Sequence, residues 1–507
     1  MDRALILQTL FILSFRERKD MNKKKWFDIS KGIIFFVLVG IIFIKALNIL
    51  NYKDTGGGGG WQNFYSIPEK TIDVMFFGSS HAHCTIDHGK LWDEYGIAGY
   101  TLSAGSQMLD STYYFVKEAL EVQKPKLLVV EVWGSVLTEG KNGDEIIYRN
   151  ALGMKWSDNL LEFVNCLVQD VDQDASYRNR ILAKMPIVHS RYKELVKEDF
   201  VNNMPYMVGY RGSFDVVEFE QPVEINEEIM MPMGERCEEY IYKIIDLAKE
   251  YETDVLFIAS PYILSDEEQM ILNNVAKIAT ENNVPMINYN HLADELQIDY
   301  KRDFRDEAHV NNYGAKKVTS HLGEYIKNNY EIPDRRLEEG YEAWDLNKRY
   351  LDNKWITKAL TDSGEINTYL ETLSTVDDRL VILSLNGNHT AAGDVYYDSL
   401  ATLGIGYEDY VKGGVWVFEN KVPTLYLEGK EYNQCYEITD GEIHFESEVV
   451  DVDGYEEQQA EIIFEGKNYS TVQNGINVLV YDPVTKQMID HVGTDIYVNF
   501  DVIRNMD

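Results

Sequence analysis

Short apolar runs alternate with stretches of helical periodicity through much of the first two thirds of the chain. Residues 71–77 (TIDVMFF) and 126–133 (KLLVVEVW) predict strands, and the segment between them has apolar residues at helical spacing. The alternation resumes with a strand at residues 254–260 (DVLFIAS) and closes with a helix at residues 312–329. Repeated strand–helix–strand units form a parallel sheet covered by helices. We therefore predict a three-layer α/β/α domain with a parallel sheet over residues 62–332.

Other regions depart from this alternation. Residues 150–235 mix apolar and charged segments and predict a helical insertion. The charged residues 333–354 predict a connector helix, and residues 355–507 predict a smaller, β-rich α/β domain. Within that domain, residues 476–493 have a hairpin pattern, with a proline-containing turn between two strands.

An apolar segment lies near the N-terminus. Residues 32–50 (GIIFFVLVGIIFIKALNIL) contain one charge, Lys45, near one end and predict a transmembrane helix. The basic leader at residues 1–31 places the N-terminus in the cytoplasm by the positive-inside rule. We therefore predict a single-pass protein of the cell membrane with both later domains outside the cell. A cleaved signal peptide is the alternative, but a glycine-rich tether at residues 51–61 follows the segment instead of a small-residue cleavage pattern.

The composition is that of a folded protein. Of 507 residues, 45% are hydrophobic and 12% are aromatic, and this length favours two globular domains. The formal net charge of -36 would repel phosphate backbones, so we expect no nucleic-acid partner.

The metal-binding residue types are scattered along the chain. The four cysteines have neither a CxxC nor a zinc-ligand spacing, which leaves disulfides or a metal site open without supporting either. His81 and His83 stand beside Cys84, but no second ligand pair at suitable spacing accompanies them. We therefore expect no metal and no cofactor.

Two motifs carry candidate catalytic chemistry. The first strand ends in Gly78-Ser79-Ser80, where glycine permits a tight turn that presents a serine hydroxyl at the carboxyl edge of the sheet. Serine needs a base to remove its proton, and Asp306 and His309, three residues apart ahead of the last helix, supply an orienting carboxylate and a base. Either motif alone is more often a turn or a helix cap. Their joint placement on one α/β domain favours a Ser80, Asp306 and His309 triad.

These motifs resemble those of the SGNH (GDSL-like) hydrolase superfamily over about residues 70–330. Residues 78–80 (GSS) resemble the nucleophile block, in which the last serine attacks. Residues 306–315 (DEAHVNNYGA) resemble the closing block that carries the acid and the base.

The resemblance also implies an oxyanion hole. Gly105 matches the block whose glycine amide contributes, so the backbone amides of Ser80 and Gly105 would stabilise the tetrahedral oxyanion. The family usually has a Gly-x-Asn-Asp donor in its third block, whereas this chain reads VEVWG at residues 130–134. Gln107 is the candidate substitute for the missing donor.

Within the superfamily, this pattern with a membrane anchor looks more like cell-surface acyl-transfer proteins, such as the alginate O-acetyltransferases and the D-alanyl-transfer protein of lipoteichoic acid synthesis. The resemblance implies acyl, especially acetyl, transfer to a cell-surface polysaccharide through a Ser80 acyl-enzyme, with a membrane-bound O-acyltransferase as the donor partner. A carbohydrate esterase or deacetylase is the second interpretation, because water can resolve the same intermediate. A non-catalytic glycan-binding surface protein is the third, because the asparagine block is missing.

The C-terminal domain resembles the interleukin-like EMT inducer (ILEI) group. The resemblance rests on residues 379–384 (RLVILS), 413–418 (GGVWVF) and 474–482 (NGINVLVYD), which follow a different order from that in relatives. It implies carbohydrate binding, whereas a plain β-rich spacer is the alternative. The candidates for stacking on sugars, which core packing would equally explain, are Trp416, Tyr396 and Tyr397.

Overall fold

The computed structural model describes residues 28–51, 58–137, 144–169, 175–200, 204, 206–439, 441–495 and 497–504. The predicted leader up to residue 27 and residues 52–57 of the predicted tether lie outside the described residues. The chain divides into two compact units, one of residues up to 86 with 99–318 and one of residues 87–98 with 319–507.

The first described helix contains the predicted apolar segment. Helix α1 (Asp28–Leu50) has 23 residues, a mean hydropathy of 2.7 in its most apolar window and no burial within the protein. At 1.5 Å per residue it is about 34 Å long, enough to cross a bilayer. Length and composition therefore fit a membrane span or a signal sequence, and the cytoplasmic side of its N-terminus stays a prediction.

The first unit is built on a five-stranded parallel sheet with the order β2-β1-β3-β4-β5. β1 to β3 are buried along their whole length, which explains their nearly continuous apolar sequences. A separate antiparallel pair, β6 and β7, follows this sheet in the chain. The predicted α/β class is confirmed. The strands are β1 (Val74–Gly78), β2 (Gly99–Ser103), β3 (Leu127–Glu131), β4 (Asp254–Ala259), β5 (Met286–Asn288), β6 (Phe304–Asp306) and β7 (His309–Val310).

Helices connect these strands, and the closing helix has the bounds that the sequence predicts. The described residues of the predicted insertion at 150–235 contain three α-helices and two short 3-10 helices, and irregular chain precedes the helix that starts at Glu235. The helices up to the unit's end are α2 (Gly58–Phe64), α3 (Ser80–Thr85), α5 (Leu109–Val122), α6 (Asp144–Ala151), α7 (Asp158–Leu167), α8 (Ala175–Ala183), α9 (Met185–Val188), α10 (Glu235–Glu250), α11 (Asp266–Glu281) and α12 (Asn312–Asn329), the last running on past residue 318.

The second unit has helices and two sheets. Its helices are α4 (His88–Tyr95), α13 (Glu342–Asp362), α14 (Ile366–Ser374), α15 (Tyr397–Ala401) and α16 (Tyr407–Lys412). Its strands are β8 (Leu380–Asn386), β9 (Gly414–Glu419), β10 (Val422–Glu428), β11 (Tyr432–Ile438), β12 (Gly441–Val452), β13 (Tyr455–Phe464), β14 (Lys467–Asn468), β15 (Gly475–Asp482) and β16 (Gln487–Asp495).

The antiparallel sheets have the orders β10-β9-β8-β15-β16 and β11-β12-β13-β14. Apolar residues of the five-stranded sheet pack on one face against the helices and on the other against the four-stranded sheet. This arrangement confirms a β-rich C-terminal fold, and β15 with β16 forms the predicted hairpin. The predicted boundary between residues 354 and 355 falls within α13.

Two of the three candidate sugar-stacking residues are core residues. Trp416 is 3% exposed and Tyr396 is 0% exposed, so neither presents a ring face to solvent. Tyr397 packs against the same core cluster from a partly buried position. The stacking role is therefore wrong for Trp416 and Tyr396, because aromatic strand and helix positions here fill the core.

Candidate active site

The turn after β1 places Ser80 at the carboxyl edge of the sheet. Gly78 has a φ of +142°, a conformation that L side chains rarely adopt, and a Cβ there would lie 2.8 Å from the Cβ of Glu131. Ser79 caps α3 by accepting the backbone N–H of His81 at 3.2 Å. Ser80 is therefore the first residue of α3, directly after a turn that requires glycine.

His309 joins the predicted nucleophile to the predicted carboxylate. Its Nε2 lies 2.7 Å from the Oγ of Ser80, and its Nδ1 lies 2.7 Å from the Oδ1 of Asp306. The short β6 and β7 pair brings Asp306 opposite His309, and the N–H of Ala308 also donates to Asp306 Oδ1 at 2.9 Å. The structure thus brings together residues that are 229 positions apart in the chain.

The electrostatics of this site favour a neutral imidazole. Burial lowers the pKa of His309 below its ordinary value, against the opposing effect of the Asp306 carboxylate, and Arg305 lowers it further. Arg305 Nε lies 3.2 Å from the outer oxygen of Asp306. His309 is therefore in its proton-accepting form near neutral pH, as a general base requires.

Glu131 is a neighbour of the nucleophile turn that sequence analysis did not assign. It ends β3 and is 1% exposed. Its Oε1 accepts the N–H of Trp133 at 3.1 Å and that of Ser260 at 3.5 Å, and its Oε2 lies 3.5 Å from the Oγ of Ser79. Burial raises the pKa of Glu131 to about 8, against the lowering effect of these hydrogen bonds. The sequence signal available for Glu131 was a single acidic residue inside the apolar run of residues 127–133, in the block that lacks asparagine.

Aromatic side chains pack beside His309. The His81 ring stacks on Trp133 at 4.8 Å with an interplanar angle of 18°, and it lies 4.9 Å from Tyr262 and 5.2 Å from His309. Burial, with the neighbouring His309 and His83, holds the pKa of His81 well below its ordinary value. His81 is therefore a neutral ring beside the proposed base.

His83 faces a different part of the unit from His81. Its Nδ1 lies 2.8 Å from the Oγ of Ser103 at the end of β2. Burial is the largest cause that holds the pKa of His83 well below its ordinary value, and the positive charge of Arg211 lowers this pKa further. The two histidines of the His-x-His sequence thus have separate environments.

The predicted oxyanion residues Ser80 and Gly105 follow the ends of the neighbouring strands β1 and β2. Gly78 pairs with Ser103 across β1 and β2, so Gly105 follows its strand end at the edge that carries Ser80. A Cβ on Gly105 would lie 3.1 Å from Arg149 Nη1. The side chain of Gln107 is buried and donates to Thr112 Oγ1 at 2.9 Å. The oxyanion roles of Ser80, Gly105 and Gln107 stay predictions, and the observed partner of the Gln107 amide is Thr112.

Comparisons with known proteins give matches among solved structures alone. No family model matches this chain, and no curated protein matches it. The chain is similar to a "putative acylhydrolase" from Bacteroides fragilis at 13% identity, covering 55% of this chain and 99% of that one with a TM-score of 0.28. It is also similar to a GDSL-like lipase from Bacteroides thetaiotaomicron at 12% identity, covering 55% of this chain and 98% of that one with a TM-score of 0.27.

Proposed function

We propose that this protein is a serine-dependent acyl-transfer enzyme that acts on carboxylic esters through an acyl-enzyme on Ser80. The observation that carries the proposal is the continuous path from Ser80 Oγ through the ring of His309 to Asp306, with 2.7 Å at each step. Such a path is what nucleophile activation by a base and an orienting carboxylate requires.

The proposed reaction has two steps. Ser80 Oγ attacks the ester carbonyl as His309 Nε2 takes the hydroxyl proton, and the leaving alcohol then receives that proton as the C–O bond breaks. In the second step His309 removes a proton from an acceptor hydroxyl, the acceptor oxygen attacks the acyl-enzyme carbonyl, and Ser80 leaves with the proton. Asp306 stabilises the imidazolium that forms in each step.

The acceptor in the leading form of the proposal is a hydroxyl of a cell-surface polysaccharide, and the acyl group is acetyl. The apolar helix α1 supports this choice if it holds the chain at the membrane, because a membrane-bound O-acyltransferase partner could then supply the acyl group nearby. This part rests on the family resemblance of the sequence motifs.

Hydrolysis is the second candidate. Ser80 and His309 are both partly exposed, so solvent reaches the serine end of the path, where the acyl group would be attached. Water can then replace the sugar hydroxyl in the second step, which makes the same site an esterase or a deacetylase.

The test is an acyl-transfer assay on the full chain purified in a mild detergent. p-Nitrophenyl acetate serves as donor and maltohexaose as acceptor, and wild type is compared with Ser80→Ala and with the control Ser374→Ala, a half-buried serine of the second unit. We expect Ser80→Ala to lose roughly 10³-fold or more in turnover. Ser374→Ala, whose hydroxyl contacts the carbonyl of Glu371, should keep wild-type turnover.

The products distinguish the two candidates. Acetylated oligosaccharide in the mass spectrum supports transfer, and free acetate without acetylated sugar supports hydrolysis. Equal turnover by wild type and Ser80→Ala would overturn the Ser80 mechanism.

A further inference from the structure

A cysteine, a histidine and a glutamate meet on the outer face of the four-stranded sheet. Cys435 on β11 pairs directly with His444 on β12, and Cys435 Sγ lies 3.3 Å from His444 Nδ1. His444 Nε2 lies 2.9 Å from Glu442 Oε1. One potential ligand atom from each of the three residues lies within 4.8 Å of the others. This group, Cys435, Glu442 and His444, is called the hairpin cluster below.

The strands hold the hairpin cluster on one face. Ile443 and Phe445 alternate with the cluster residues along β12 and are fully buried, so Glu442 and His444 point to the opposite face. β12 pairs with β11 on one side and with β13 on the other. The backbone positions of the cluster are therefore fixed by the sheet, whereas the side chains are exposed enough to adjust.

The same face concentrates negative charge. Glu437 lies directly opposite Glu442 across β11 and β12, and Glu446 lies directly opposite Glu461 across β12 and β13. Like charges in directly opposed positions destabilise a strand pair. A bound cation between the strands would reduce this repulsion. The opposed glutamates therefore favour cation binding for a reason that is separate from the cysteine and histidine.

The spacing of the cluster atoms suits a tetrahedral metal. Zn–S bonds of about 2.3 Å and Zn–N or Zn–O bonds of about 2.0 to 2.1 Å place ligand atoms roughly 3.3 to 3.6 Å apart at tetrahedral angles. Measured to the same ring nitrogen, His444 Nε2, the sulfur of Cys435 lies at 3.5 Å, within this range. The Glu442 oxygen lies 2.9 Å from that nitrogen and needs a small outward adjustment by an exposed side chain. Thiolate with imidazole is a donor set that favours zinc over magnesium or calcium.

We propose that Cys435, Glu442 and His444 bind one divalent transition-metal ion, Zn²⁺ by preference, and leave its fourth position to water. Binding displaces water ligands from the ion and the proton from the Cys435 thiol, so the site releases one proton to solvent. The site lies on the C-terminal unit and is independent of the proposed acyl chemistry.

Cobalt titration of the full chain in detergent, with a phosphine reductant present, tests this proposal. A thiolate ligand to Co²⁺ gives a charge-transfer band in the near ultraviolet, and the other three cysteines are buried. We expect the band to saturate at one equivalent of Co²⁺, to be displaced by Zn²⁺ and to be absent in Cys435→Ser. His444→Gln and Glu442→Gln should weaken Zn²⁺ binding by at least the roughly tenfold that loss of a ligand's hydrogen-bond partner costs.

The matched control is Glu448→Gln, which removes an exposed carboxylate from the same strand outside the cluster. It should keep wild-type cobalt stoichiometry and Zn²⁺ affinity. The proposal is overturned if wild type gives no band, if the band persists in Cys435→Ser, or if Glu442→Gln binds Zn²⁺ no more weakly than Glu448→Gln does.

Discussion

The carboxyl group of Glu131 lies against the hydroxyl of Ser79, with 3.5 Å between Oε2 and Oγ, one residue before the proposed nucleophile. Because burial raises the pKa of Glu131 to about 8, this side chain is a neutral acid at pH 7. It bridges the end of β3 to the turn that presents Ser80, through its contacts with Ser79 and with the backbone of Trp133. Folding therefore holds a proton on a side chain that packs against this turn.

This proton should make folding stability depend on pH. The folded-state pKa of about 8 exceeds the ordinary value of 4.5, so the stabilisation is fully present below about pH 4.5 and is lost as the pH rises to about 8. Glu131→Gln mimics the neutral acid and should remove this loss of stability. At alkaline pH the free energy of unfolding should therefore rise by at most a few kcal/mol relative to wild type.

Thermal unfolding midpoints at pH 5 and pH 8.5 measure this effect. The difference between the two midpoints should be smaller in Glu131→Gln than in wild type. Glu448→Gln, which changes an exposed residue, should have the unfolding midpoint of wild type at both pH values. A wild-type pH dependence retained in Glu131→Gln would show that Glu131 is not its source.

The pH profile of catalysis should report on His309. Burial lowers the pKa of this imidazole, so the acidic limb of kcat/KM should lie below about pH 6.5, the ordinary histidine value. Asp306→Asn removes a group that raises this pKa, so the limb should move lower and the rate should fall by roughly 10³ to 10⁴.

Arg305→Gln should shift the acidic limb of kcat/KM in the opposite direction from Asp306→Asn. Arg305 lowers the pKa of His309, so its removal should move the acidic limb towards higher pH. Initial rates with p-nitrophenyl acetate between about pH 4.5 and about pH 8, the range over which histidine and Glu131 titrate, test both variants. Shifts in the same direction for both would contradict the assigned electrostatics.

Gly78→Ala should destabilise the protein more than a glycine substitution at an open site. At Gly78 the added Cβ meets the Cβ of Glu131 at 2.8 Å and the backbone has a φ of +142°. Gly340 has a φ of +93° with nothing within 4 Å, so Gly340→Ala adds backbone strain alone. Strain of this kind costs on the order of 1 to 3 kcal/mol, and the clash adds to it at Gly78. Equal unfolding midpoints for the two variants would contradict the close approach of β1 and β3.

Asp482 should be a major source of acid sensitivity in the C-terminal unit. Its buried carboxylate accepts from Arg349 Nε at 2.8 Å and from Asn353 Nδ2 at 2.7 Å. Burial would raise the pKa of Asp482, but these hydrogen bonds lower it to about 2. Its contribution to stability is therefore present above about pH 3.8 and is lost as the pH falls towards 2.

Asp482→Asn should destabilise the protein by roughly 1.5 to 3 kcal/mol, because it removes charge-assisted hydrogen bonds from Arg349 and Asn353, while Arg349 keeps its ion pair with Asp378. Asp362→Asn breaks an exposed pair with Lys358 and should cost less than about 1 kcal/mol. Urea unfolding at pH 7 measures both. An effect of Asp482→Asn no larger than that of Asp362→Asn would contradict a structural role for the buried pair.

The sequence by itself determined the features that depend on local pattern. Apolar runs and helical spacing indicated β1, β3, β4 and the closing helix α12, because side-chain periodicity follows from the geometry of each element. The apolar segment that forms most of α1 was recognisable by length and hydropathy. Residues 78–80 and the pair Asp306 and His309 were candidates because glycine turns and a three-residue spacing are local properties.

Only the tertiary structure decided which distant residues meet and which are buried. The sheet order and the β6 and β7 pair bring His309 to Ser80, and no local pattern fixes a distance across 229 positions. Burial under neighbouring elements sets the proton on Glu131, since the same glutamate on a surface would be ionised. Strand register likewise places Cys435 opposite His444, because a shift of one residue would turn one of them to the other face.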